Sequence, residues 1–141
     1  MPTLAADKFR TYEIHGSEFD TDLPVIASDI IYEGAAVGEN GSGYFRPLVA
    51  ADTFSGFALT QANNASGAAG ATNVHVRAKG VAVLNVVGVT AVTDEGSTVY
   101  ASDDDTFTLT SGSNSTIGKI IRHISGTQVA VAFESVSLRS L

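Results

Sequence analysis

The chain has 141 residues, a formal charge of −7, 44% hydrophobic residues and no cysteine. That length suits one domain able to hide about two thirds of the surface of its unfolded chain, and the lack of cysteine removes disulfide frameworks and thiolate metal sites. Nucleic-acid affinity is carried by clustered Lys and Arg, so the acidic balance excludes nucleic acid as an expected partner.

No apolar run approaches the roughly 20 residues a bilayer span requires, and no basic segment with an apolar core opens the chain. The expectation is a soluble, unexported protein with no membrane partner. Charge is uneven: residues 1–33 hold seven acids against Lys8 and Arg10, giving −5 of the total −7. Such a segment either meets a basic surface or is a solvated acidic face.

Residues 1–28 show neither a helical stripe nor clean alternation, and they predict an extended acidic arm ahead of a body at 29–141. Phe9, Tyr12, Ile14 and Phe19 lie scattered among its charges. Large apolar groups need cover, so these four are the candidate contact residues, packed on a neighbour in the arm reading or on their own domain if the segment is an ordinary first strand.

From Ile30 onward short apolar runs are separated by Gly, Asn, Asp and Ser, which predicts an all-β body, a small barrel or sandwich of about eight to nine short strands. The predicted strands span 30–33, 44–49, 54–60, 74–78, 81–86, 98–101, 107–110, 117–124 and 128–134. Asn40-Gly41 marks a hairpin turn, since it accepts positive φ, and Gly126 does the same between the last two strands. Residues 61–73 hold no large apolar side chain and read as a mobile loop, either a tolerated insertion or a segment that orders against a partner.

Two further patterns stand out. Val74, Val76 and Ala78 alternate with His75, Arg77 and Lys79, giving one strand an apolar face and a basic face that either docks an acidic surface or is the wet side of a sheet. The run from Val81 to Val87 is apolar on both faces and belongs at the centre of the fold. In Gly96–Thr110, a strand, the turn Asp103-Asp104-Asp105 and a second strand with Phe107 and Leu109 on one face form a β-hairpin.

Catalytic and metal chemistry find little purchase. His15, His75 and His123 have no ligand spacing, and the Asp103–Asp105 run lacks the spaced ligands, glycine and closing Glu of an EF-hand. There is no Gly-x-Ser-x-Gly elbow and no phosphate loop, so the expectation is a non-enzyme with no cofactor and no metal.

The order of these motifs resembles that of the capsid decoration (cement) proteins of tailed bacteriophages. It comprises the Gly-rich turn at 34–43, Gly56-Phe57-Ala58, the Ala/Asn/Gly loop at 61–72, Gly80-Val81-Ala82-Val83, the Val99-Tyr100-Ala101-Ser102-Asp103-Asp104 hairpin and Ile117-Gly118. The match covers about residues 30–134, with the acidic arm outside it. The resemblance implies a virion protein, made in the host cytoplasm, that sits on the outer surface of a mature head as homotrimers, binds the major capsid protein and stabilises the shell against internal DNA pressure. The alternative is a receptor- or carbohydrate-binding β module of a head fibre or tail.

Overall fold

The computed structural model describes residues 4–13 and 18–138; among these the chain forms twelve strands and two single-turn 3-10 helices, at Val92–Asp94 and Val136–Leu138. The strands are β1 (Tyr12–Glu13), β2 (Phe19–Pro24), β3 (Asp29–Ile31), β4 (Ala36–Glu39), β5 (Phe45–Pro47), β6 (Thr53–Ala58), β7 (Ala62–Asn64), β8 (Asn73–Val87), β9 (Thr98–Ala101), β10 (Phe107–Thr108), β11 (Ser115–Ser125) and β12 (Gln128–Glu134).

The organising element is β8, fifteen residues long. It spans both strands expected at 74–78 and 81–86, because Gly80 does not break the run. Gly80 and Gly118 lie in register on either side of Phe133; the ring of Phe133 takes the space left by the missing Gly80 side chain, and the β12 backbone at Ala132 closes on Gly118. The C-terminal half of β8 pairs with β12, then come β11, β9 and β10, and β10 returns to β8 in parallel with Phe107 opposite Val86. This closes a five-strand barrel. Its core gathers Phe54, Phe57, Phe107 and Phe133 with Leu84, Ile117, Ile120 and Val131.

The N-terminal half of β8 pairs with β2 and β6, and β6 leads on to β4 and β5. A parallel bridge between Val25 and Phe45 brings β5 back to the end of β2. A second apolar cluster, including Val25, Ile31, Val37, Ala58, Val74 and Val76, fills this half. One long strand therefore serves two cores, Val74 and Val76 in one and Ala82, Leu84 and Val86 in the other.

The expected all-β barrel is present, as are the hairpins at Asn40-Gly41, Asp103–Asp105 and Gly126. The strand number is higher than expected. β1 and β2 come from the predicted arm, and β4 and β7 are short pieces whose Ala, Gly and Asn content carries little strand signal.

Residues 61–73 differ from the expected unanchored loop. β7 pairs with β3, and Asn64 is buried, its amide donating to the carbonyls of Ile26 (2.8 Å) and Ala68 (2.9 Å). Backbone bonds from Val25 to Thr72 and from Gly70 to Val25 fasten the far end. Polar groups supply the anchors that apolar side chains do not. Asn64→Ala strands two carbonyls, and an expected loss of about 1–3 kcal/mol in urea-denaturation stability follows.

Candidate functional site

The N-terminal segment is bound to the body along a continuous seam. Asp7 accepts from the Glu33 amide at 2.9 Å, the Lys8 amide donates to the Glu33 carbonyl at 2.7 Å, and the Val83 amide donates to the Thr11 carbonyl at 2.9 Å. The side chains of Lys8 and Arg10 both reach Asp105 at the tip of the β9–β10 hairpin, at 3.1 and 2.7 Å. Arg10 is only 4% exposed: its guanidinium donates to the Gly34 carbonyl and lies 5.4 and 5.3 Å from the ring centroids of Phe57 and Phe107. A cation is thus built into the barrel mouth, with its carboxylate held on the hairpin.

The three aspartates of that hairpin are all engaged by the protein. Asp103 accepts from the Asp105 amide, Asp104 is buried and accepts from the Leu4 amide, and Asp105 takes the two cations. Among the described residues no group of three or more His, Cys, Asp or Glu is placed to hold a metal ion.

Further along, β2 lies antiparallel on β8 with Asp20 opposite Arg77 and Asp22 opposite His75. The pairs close at 2.9 and 2.7 Å, and Lys79 meets Glu134 at 3.3 Å. The acidic segment and the basic strand face are each other's partners within one chain. The Arg77 hydrogen bond holds the Asp20 carboxyl below its ordinary value of 3.8, and the bidentate Arg122 holds Glu13 below 4.5. Water reaches these pairs and screens them, so each adds little to stability; their alternation matters more, because it fixes the register of β2.

The four predicted contact residues separate. Tyr12 is half-buried against its own core, 6.2 Å from Phe133 with the Arg77 guanidinium 5.1 Å from its ring. Ile14 lies outside the described residues. Phe9 is 86% exposed and Phe19 is 49% exposed. Phe19, Thr21, Leu23 and Phe45 line a small cleft of about 90 Å³ between β2 and β5. Sequence reasoning missed Arg10 and Asp105; the available signal was that Lys8 and Arg10 are the only cations in an acidic stretch.

Burial pushes the Tyr12 hydroxyl up to about 12, and among the described residues it has no hydrogen-bond partner. Its neutral form is therefore favoured by the fold, a contribution fully present below the ordinary tyrosine value of 10 and lost as pH rises through 12. Tyr12→Phe is expected to leave neutral-pH stability within about 1 kcal/mol and to remove about 2 kcal/mol of the alkaline loss between pH 10 and 12. Urea melts across that range check it.

A second, larger groove of about 360 Å³ lies on the paired β11–β12 surface, lined by the half-buried Gly118 and Ala132 together with Lys79, Lys119 and Glu134. Fold and seam together define an all-β barrel protein strapped by its own N-terminal segment. No family model, curated protein or solved structure matches the chain.

Proposed function

We propose that this chain is a structural virion protein that binds the outer surface of a mature phage head as homotrimers and stabilises the shell against internal DNA pressure. The observation that carries the reading is the ordered set of motifs from the Gly-rich turn at 34–43 to Ile117-Gly118, with the Val99–Asp104 hairpin at its centre.

The reading is supported by two exposed aromatic residues, Phe9 and Phe19, on a segment already fastened to its own body. A side chain presented on ordered backbone binds without the cost of ordering that backbone. Repetition over a capsid lattice then raises the effective concentration for each further contact, so modest single interfaces suffice.

The test is co-sedimentation of the full chain with mature, expanded heads of the source phage lacking it, with densitometry of copies bound per major capsid protein. Saturable binding at fixed stoichiometry is expected. Absence of binding overturns the reading and moves a receptor- or carbohydrate-binding module to first place. Arg10 and Tyr12 belong to the core, so deleting residues 1–28 would damage the body, and Phe9→Ala with Phe19→Ala is the cleaner probe. Capsid binding as tight as that of the unaltered chain would remove these residues from the interface.

A further inference from the structure

Among the described residues, every Lys and Arg except one has a carboxylate within ion-pair distance. Lys8 and Arg10 share Asp105, Arg46 has Asp52, Arg77 has Asp20, Lys79 has Glu134 and Arg122 has Glu13. The exception is Lys119, exposed on β11 at the rim of the 360 Å³ groove. A chain that pairs its other described Lys and Arg residues leaves this one open, beside the small residues Gly118 and Ala132 that line the groove. The matching occupant carries an apolar group with a carboxylate close beside it.

This chain displays that combination. Phe9 projects 86% exposed from a backbone fixed on both sides, by Lys8 to Glu33 and Asp105 and by Arg10 to Gly34 and Asp105. Exposed Asp7 stands two residues away. The charges are complementary: the exposed Asp7 carboxylate lies on the same segment as the ring, and two ammonium groups against one carboxylate (Glu134) rim the groove. In its own molecule Phe9 stays in solvent, so the occupant is supplied from elsewhere.

We propose that the β11–β12 groove of one copy receives the Asp7–Phe9 projection of a second copy, with Lys119 meeting the Asp7 carboxylate. Projection and groove are different patches, so the contact is head-to-tail and closes into a ring when the rotation per subunit allows. The inference rests on the self-association in the functional reading above and names the surfaces that make it.

The test is sedimentation equilibrium of the full chain, of Phe9→Ala and of Lys119→Glu, with circular-dichroism spectra to verify folding; both side chains are exposed, so each variant keeps the β spectrum of the unaltered chain. The unaltered chain is expected to self-associate, and each variant to weaken association by at least about tenfold. Mixing the variants supplies the decisive arm. Phe9→Ala keeps an intact groove and Lys119→Glu an intact projection, so the mixture forms heterodimers and stops there. A monomeric unaltered chain, variants that associate like it, or a mixture that fails to pair each overturns the proposal. A chain that self-associates this way but does not sediment with phage heads removes the capsid reading alone; one that binds heads yet stays monomeric in solution overturns this inference alone.

Discussion

Asp105→Ala is expected to lower unfolding stability by about 3–5 kcal/mol, the range for removing one partner of a buried ion pair. Arg10 is 4% exposed and Asp105 16%, so the guanidinium left behind has no route to water without lifting the N-terminal segment from the barrel. Its remaining contacts, the Gly34 carbonyl and the rings of Phe57 and Phe107, do not neutralise it. Two comparisons isolate the cause. Lys8 is 45% exposed, so Lys8→Ala costs at most about 1 kcal/mol. Adding Arg10→Met to Asp105→Ala replaces a stranded charge by an apolar chain and recovers much of the loss. The reading is a shift of the urea midpoint at constant slope. A loss below about 1 kcal/mol for Asp105→Ala would mean the pair does not hold the segment.

The body was legible because its signals are local. β9 and β12 match the expected spans because alternation and flanking turn residues define both ends. Elements formed by backbone complementarity were not legible. β7 is Ala-Asn-Asn and owes its place to β3 opposite it and to the Asn64 amide. The continuity of β8 through Gly80 depends on Phe133, more than fifty positions away, filling the gap.

The acidic segment shows the same division. Its charge excess and the basic face at His75, Arg77 and Lys79 were both visible, and each read either as a docking surface for the opposite sign or as a solvated face. That they satisfy each other depends on the register placing Asp20 opposite Arg77 and Asp22 opposite His75, which no single segment encodes. Tyr12 and Phe9 look alike in sequence, three residues apart among polar neighbours. The seam separates them: Tyr12 sits opposite Ala82 and packs on the barrel core, while Phe9, flanked by two residues bound to the hairpin, is left pointing out.

Phe133→Ala is expected to cost about 3–5 kcal/mol, toward the upper end of the range for deleting a buried aromatic side chain. The ring is 2% exposed and meets Phe57 edge-on at 4.9 Å, with Phe54 at 6.3 Å and Tyr12 at 6.2 Å. The cost of such a cavity depends on how far neighbours can collapse into it, and here the in-register neighbours on both flanking strands are Gly80 and Gly118, with no side chain to move. Gly118 cannot be enlarged in compensation, because a Cβ there would run into the Ala132 carbonyl oxygen. The void opens beneath Tyr12, so the loss loosens the N-terminal segment as well. Hydrogen exchange at the Val83 amide, which donates to the Thr11 carbonyl, is expected to accelerate more than exchange within the β3–β7 pair. Phe9→Ala, at an exposed position, serves as the control and leaves the midpoint unchanged at dilutions where the unaltered chain is monomeric. If the two phenylalanine variants unfold alike, Phe133 is not the hub that joins barrel and strap.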